Sequence, residues 1–193
     1  IFSFLIVMPV IASFLFQNAV VLEYLKEKVI ENAIGTISYH NNLIEDKMYS
    51  LSEMLFYTVR SEEVQNLLRY DNHTPGTIYV MHKKISENIF LDENIYKVDI
   101  LSLALIKGNT VIYQYKNDLF ESNKSVGTED WYAETIKKKG NTHWEGRKDH
   151  TFYGYLNDIK HIITTIDLTR SIYNKYTHDH IGMAYLSVTI DSI

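Results

Sequence analysis

Two charged side chains in the second half of the chain have the chemistry to hold a small ligand. Arg147 lies in a polar stretch, Gly146 to His150, and its guanidinium could grip a carboxylate or phosphate through two parallel hydrogen bonds. Asp167 stands alone as an acid in the β-branched stretch ITTIDLT, where it could anchor an amine or a hydroxyl. Each residue also has a plainer interpretation, as a solvated loop arginine and as an aspartate that faces water by strand alternation.

Tyrosine is unusually frequent, with 15 residues, and several lie close together near the C-terminal end. Tyr153, Tyr155, Tyr173 and Tyr176 belong to this group. Aromatic stacking and hydroxyl hydrogen bonds from such a group would suit a sugar or a peptide. The high propensity of tyrosine for strands explains the same enrichment without a ligand.

Other chemistries lack the residues that they need. Cysteine is absent, which excludes disulfides, thiolate metal sites and thiol nucleophiles. The segment His178 to His180 offers two imidazoles but no evident third ligand, so we predict no metal site. No local motif suggests a catalytic triad or a carboxylate pair, and no cofactor is expected. The net charge of −5 without a basic stripe argues against nucleic-acid binding.

The first 22 residues are almost entirely apolar. As a helix rising 1.5 Å per residue, this segment would be roughly 33 Å long, which is enough to cross the hydrocarbon layer of a membrane. We therefore predict a transmembrane helix over residues 1–22. Pro9 is compatible with this prediction because membrane helices contain proline more often than soluble ones. A signal peptide and a buried core helix are the alternatives.

A long amphipathic helix is predicted to follow. Apolar residues recur in alternating steps of four and three and form a heptad-like stripe that includes Ile30, Ile37 and Ile44. We predict that this helix ends near Met54 and that a second helical stretch reaches Leu68. The stripe could pair two copies of the chain in a homodimer, or it could cover a sheet.

The rest of the chain changes from helical to strand-like patterns after a loop from Tyr70 to Gly76. The predicted elements are a helix over Thr77–Phe90, a hairpin of strands Val98–Ile106 and Thr110–Tyr115, a short helix within Ser125–Lys139, and strands Thr142–Glu145, Lys160–Ile172 and Gly182–Ile190. Helices segregated from a run of antiparallel strands are typical of an α+β domain with one central sheet. We expect the long N-terminal helix to pack along one face of that sheet.

This order of elements resembles the extracellular Cache (PAS-like) sensor domains of bacterial transmembrane receptors. The matching segments are VDILSLALIKGNTVIYQY, the Asp130-Trp131-Tyr132 start of the short helix, Gly140 with Thr142-His143-Trp144-Glu145, and the closing pair ITTIDLTRSIYN and IGMAYLSVTID. Within this group the chain is most similar to sensor histidine kinases that pair with AraC-type response regulators. The amino-acid-binding pattern has an arginine two residues before the Trp-Tyr pair, where this chain has Glu129. The resemblance therefore does not extend to the usual contacts for amino-acid sensing.

The resemblance implies a PAS-like central antiparallel sheet with a ligand pocket beneath the loops that cover it. Trp131, Tyr132 and Trp144 would form aromatic walls of that pocket, although a plain core role would suit each of them as well. The candidate ligand-binding residues are Trp131, Tyr132, Trp144, Arg147, Tyr153 and Asp167.

The resemblance also implies domains, location and partners. Residues 1–22 would form a transmembrane helix, 23–69 a stalk helix with the helix after it, and 70–193 the membrane-distal sensor domain, so residues from about 23 onward would be extracytoplasmic. The expected function is ligand sensing for a two-component sensor histidine kinase, with the binding signal passed through the N-terminal helix.

Expected partners are a small molecule, sugar or peptide, the membrane, a second copy bound through the N-terminal helix, and a response regulator reached through a cytoplasmic region outside this chain. The fragment itself is not expected to be an enzyme. The alternatives are a chemoreceptor or diguanylate cyclase ectodomain and, from other classes, a membrane-anchored extracellular enzyme or a structural surface protein.

Overall fold

The N-terminal part of the chain is helical throughout. In a computed structural model, the described residues are 2–96, 98–116, 126–152 and 161–189. Helix α1 runs from Phe2 to Arg60 and includes Pro9. Residues 1–46 form one unit, and the side chains of residues 7–46 are exposed. The helix is long and apolar enough to cross a membrane. A membrane would shield its exposed apolar side chains from water. This feature fits a membrane-anchored extracellular domain.

Residues 47–193 form the second unit, which begins with a layer of helices. Helix α2 spans Glu62–Arg69 and helix α3 spans Pro75–Tyr96. The Ser61 hydroxyl oxygen accepts a hydrogen bond from the backbone N–H of Val64 at 3.3 Å and so caps α2. The predicted end of the first helix near Met54 is wrong, because Met54 is buried within α1 and the chain breaks only at the Ser61 cap.

In the described part of this unit, five antiparallel strands form one sheet, in the order β2-β1-β5-β4-β3. The strands are β1 Ile100–Lys107, β2 Thr110–Lys116, β3 His143–Phe152, β4 His161–Tyr173 and β5 His180–Thr189. Between β2 and β3 in the sequence lie a 3-10 turn, Val126–Thr128, and helix α4, Asp130–Lys137. The predicted α+β fold, a PAS-like antiparallel sheet with a long N-terminal helix, is confirmed, and the part of that helix in the core is Leu51 to Val59.

Strand β3 is longer than predicted. The prediction of a polar loop over Gly146 to His150 is wrong, because these residues lie within β3 and Arg147 pairs with Thr165 of β4. Ladder hydrogen bonds join backbone groups, and a strand at the edge of a sheet tolerates polar residues. Hydrophobic periodicity therefore gives a weak signal for such a strand.

Strand alternation divides the sheet into two faces that different elements cover. On one face, Leu168 and Leu186 share a buried cluster with Leu55 of α1, and we call this the helix-side face. On the other, Tyr185 packs with Trp131 of α4, and we call this the α4-side face. Both faces are therefore covered, and β4 and β5 have buried side chains on each.

Gly182 of β5 lies where Leu68 of α2 packs against the sheet. A Cβ atom at this position would lie 2.5 Å from the backbone carbonyl oxygen of Ile106 and 2.8 Å from Cδ2 of Leu68. Backbone atoms cannot move aside cheaply, so glycine is needed where β1, β5 and α2 meet.

Candidate ligand site

Buried polar side chains line the α4-side face of the two central strands β4 and β5. Thr165, Asp167 and Thr169 occupy alternate positions of β4 and are all buried. Tyr185 and Ser187 of β5 are also buried, and they pair with Thr169 and Asp167 respectively. Side chains of this kind are normally found inside proteins only where hydrogen bonds compensate for lost water. We call these five residues the polar layer.

Asp167 is at the centre of the polar layer. Its carboxylate accepts hydrogen bonds from the Tyr185 phenol and from the Ser187 hydroxyl, the second at 2.6 Å. The interpretation in which Asp167 faces water is wrong, because the side chain is fully buried beneath the elements that cover this face. A carboxylate flanked by hydroxyl groups can recognise an amine or a hydroxyl group of a ligand.

Thr165 lies two residues before Asp167 on the same strand and is fully buried. Its hydroxyl has no hydrogen-bond partner among the described residues, in contrast to the hydroxyl of Thr169. Leaving such a group unpaired costs about 1–3 kcal/mol. A ligand that hydrogen-bonds to this hydroxyl would recover that energy.

Helix α4 supplies an aromatic wall beside the polar layer. The ring of Trp131 meets Tyr185 edge to face, with centroids 4.9 Å apart and planes at 66°. Thr135 donates a hydrogen bond to the Trp131 carbonyl at 2.6 Å and shares another with the Thr169 hydroxyl. Ser171 donates to the Thr135 carbonyl at 3.2 Å. These bonds fasten α4 to β4 and thereby fix the position of Trp131.

The fold has counterparts among solved structures, although no family model and no curated protein sequence matches the chain. The sensor domain of the histidine kinase DctB from V. cholerae matches 86% of this chain and 58% of that chain, at 6% identity and a TM-score of 0.58. The extracellular domain of the putative histidine kinase vpHK1S-Z8 matches 86% and 60%, at 14% identity and a TM-score of 0.58. A domain of a putative sensory box/GGDEF family protein from Vibrio parahaemolyticus matches 83% and 60%, at 12% identity and a TM-score of 0.55.

The chain has the fold of a Cache-like sensor domain. It spans about three fifths of the length of these three structures. At identities this low, the structural matches show a shared fold. The output modules of the other proteins are therefore not assigned to this chain.

The other predicted site residues are spread over the Cache-like domain. Tyr132 is half-buried, and its hydroxyl donates to the Gly108 carbonyl at 3.0 Å, in the turn between β1 and β2. Trp144 packs against the helix-side cluster, so the two tryptophans do not share one pocket. For Arg147 the backbone alone is described, and Tyr153 lies outside the described residues. The predicted ligand-binding roles of these residues stay predictions.

Sequence reasoning missed Thr165, Thr169, Tyr185 and Ser187. The signal was present as alternation, because ITTIDLT places polar residues at every second position around Asp167, and AYLSV does the same for the neighbouring strand. Pairing of Asp167 with Ser187 becomes evident only once the strand register is known. An isolated acid in a strand therefore indicates a buried polar cluster when hydroxyl residues lie at alternate positions beside it.

The described residues contain no group of three or more histidine, aspartate or glutamate side chains placed to hold a metal ion. His178 and His180 lie exposed near the turn between β4 and β5. The polar layer itself combines a carboxylate, hydroxyl groups and an aromatic wall.

Proposed function

We propose that this chain is the extracytoplasmic ligand-sensing domain of a two-component sensor histidine kinase. The observation that carries the proposal is the buried unpartnered hydroxyl of Thr165 beside the buried carboxylate of Asp167. A domain selected for stability alone would gain from apolar residues at such positions. Their chemistry suits a small molecule, sugar or peptide that presents an amine or hydroxyl group.

The histidine kinase output is favoured by two of the three structures described above, which belong to histidine kinases. Passage of a signal through α1 is supported by the length of this helix, since its residues 51–59 contribute to the core beneath the sheet. The stripe residues Ile30, Ile37 and Ile44 are 50%, 61% and 42% exposed. These apolar side chains lie beyond the predicted membrane segment, which favours a second copy of the chain as their partner.

The proposed ligand site is testable by thermal unfolding of the full 193-residue chain in a non-ionic detergent, against panels of sugars, amino acids, carboxylates and short peptides. We expect one class to raise the melting temperature, because a ligand at 100 times its Kd stabilises the folded state by about 2.7 kcal/mol. Asp167→Asn should abolish that increase, whereas Asp179→Asn, an exposed control in the β4–β5 turn, should retain it. If no class stabilises the chain, or if both variants respond like the wild type, the proposal fails.

A second candidate, the ectodomain of a diguanylate cyclase, is favoured by the structural match to a sensory box/GGDEF family protein. The coding sequence that follows Ile193 distinguishes the two outputs. A phosphoacceptor histidine with an ATP-binding module would support the kinase, and a cyclase module would support the alternative. A response regulator is a partner under the first proposal alone.

A further inference from the structure

A cleft lies on the helix-side face of the sheet, whereas Asp167 lies on the opposite face. It has a volume of about 170 Å³ and lies between α1, α2, β4 and the turn after α4. We call it the arginine cleft and define it by Phe56, Arg60, Gln65, Gly140 and Arg170. A cleft of this size would hold a compact group and exclude an extended ligand.

Two guanidinium groups meet the same aromatic ring in this cleft. The guanidinium carbon of Arg60 lies 5.0 Å from the ring centroid of Phe56, and that of Arg170 lies 4.7 Å from it. Arg170 also donates a hydrogen bond to the Thr142 hydroxyl at 3.2 Å. Cation–π contacts hold the planar guanidinium groups in place. Each group has five N–H donors, and most of these can still donate to an acceptor other than the ring.

Neither arginine has a carboxylate within ion-pair distance in the described ranges of the chain. Burial lowers the pKa of Arg170, and the charge of Arg60 acts in the same direction, while the charge of Glu53 acts against them. The charge of Glu53 acts on Arg170 more strongly than the charge of Arg60 does, so Glu53 offsets part of the positive charge of the cleft. Three lysines, Lys137 to Lys139, immediately precede Gly140 and are exposed.

The arginine cleft is thus a local concentration of positive charge on a chain whose net charge is −5. The Gln65 amide is engaged elsewhere, because its nitrogen donates to the carbonyls of Val59 and Tyr173 and its oxygen accepts from the N–H of Lys175. Arg60 is exposed and Arg170 is half-buried, so water can solvate the N–H donors that no protein group meets, and an acceptor with several oxygens could replace that water. Carboxylates and phosphates match the donor geometry of guanidinium groups.

We propose that the arginine cleft binds a small oxyanion, held between the guanidinium groups of Arg60 and Arg170. The shared chemistry is a compact group with two or more acceptor oxygens, either a carboxylate or a tetrahedral phosphate-type anion. This site is independent of the polar layer and lies on the opposite face of the sheet. Occupancy would add hydrogen bonds between α1, which carries Arg60, and β4, which carries Arg170.

The test uses the full 193-residue chain in a non-ionic detergent, with thermal unfolding measured against inorganic phosphate and against acetate. Sodium chloride at matched ionic strength gives the baseline. Arg60→Gln removes one guanidinium whose described contact is the Phe56 ring, and Arg69→Gln is the matched control. Arg69 stacks on Tyr70 and Tyr176, at 5.2 and 5.1 Å, and does not line the cleft.

We expect phosphate or acetate to raise the melting temperature of the wild type above the chloride baseline. Arg60→Gln should weaken the apparent affinity by roughly tenfold, as expected for loss of a charge-assisted hydrogen-bonded contact, and Arg69→Gln should leave it within about twofold. A response to acetate alone assigns a carboxylate ligand, and a response to phosphate assigns a tetrahedral oxyanion.

Stabilisation no greater than with chloride would overturn the proposal, as would equal affinities in the wild type and the Arg60→Gln variant. If the glutamine variant fails to fold, Arg60→Lys provides the same test, because it keeps the charge but loses the planar fork. An unchanged affinity in the lysine variant would then contradict the proposed contact. These outcomes do not depend on the ligand of the polar layer, so the two proposals fail separately.

Discussion

Replacement of Thr165 by valine should stabilise the unliganded domain, although most substitutions of buried residues destabilise a protein. The Thr165 hydroxyl is buried without a hydrogen-bond partner in the described part of the chain. Valine has nearly the same shape and puts a methyl group in place of that hydroxyl. The gain should therefore approach the cost of an unsatisfied buried hydroxyl, about 1–3 kcal/mol.

Thr169→Val is the matched control, because the same change is made two residues along the same strand at a position that is also buried. The Thr169 hydroxyl is hydrogen-bonded to Thr135, so its removal should cost about 0.5–1.5 kcal/mol. The two variants should thus shift stability in opposite directions.

The assay is urea unfolding of the full chain, followed by tryptophan fluorescence, with thermal unfolding as a second measurement. Each kcal/mol corresponds to about 2–4 °C in melting temperature for a domain of this size. The slope of free energy against urea should be unchanged, because neither variant alters the surface exposed on unfolding. If Thr165→Val destabilises the chain as much as Thr169→Val does, the hydroxyl is satisfied in the folded state. A role for this hydroxyl in ligand binding would then be refuted.

Three further predictions concern other parts of the domain. Gly182→Ala should destabilise the chain by roughly 1–3 kcal/mol in urea unfolding, because the alanine Cβ would lie 2.5 Å from a backbone carbonyl oxygen of β1. Gly146→Ala is the control and should not destabilise the chain, because no atom lies within 4 Å of the added Cβ. Burial lowers the pKa of His82, so the unfolded chain binds the extra proton more readily, and stability should fall as the pH drops through about 6.5; His82→Gln should flatten that part of the profile. Glu93→Gln should cost roughly 1–3 kcal/mol and should lower the raised pKa of the Tyr115 phenol in ultraviolet titration, because burial and the hydrogen bond to the Glu93 carboxylate both raise that pKa.

The fold was predictable because its signals are local. The change from helical to alternating periodicity identified the strands, and the turn Lys107 to Asn109 identified the first hairpin, where Gly108 has φ +58°. The two wrong predictions, the helix end near Met54 and the loop over Gly146 to His150, concern places where the local sequence pattern gives little signal. The sequence signal for a helix boundary at the Ser61 cap is weak, because apolar residues continue on both sides of it. Strand β3 is stabilised by pairing with β4, which its own sequence does not reveal.

The candidate site was predictable in part. Asp167 was recognised as unusual, but alternation assigns a side chain to a face without saying what covers that face, so burial was not foreseen. Trp131 and Trp144 resemble each other as aromatic residues near polar segments. Their separation onto opposite faces follows from strand register, since Trp144 pairs with Leu168 of the helix-side cluster. Register depends on contacts between residues far apart in the sequence.

The two faces of the sheet also define how the proposed signal could travel. A ligand in the polar layer would contact Asp167, whereas the next residue, Leu168, packs in the cluster that contains Leu55 of α1. Adjacent residues of β4 therefore lie on different faces of the sheet, with Asp167 on the α4-side face and Leu168 on the helix-side face. Movement of β4 by a fraction of a residue would repack Leu168 against α1, because a close-packed core does not absorb displacement. The ligand must then favour one of two positions of β4, since a ligand that binds both equally shifts neither and transmits nothing.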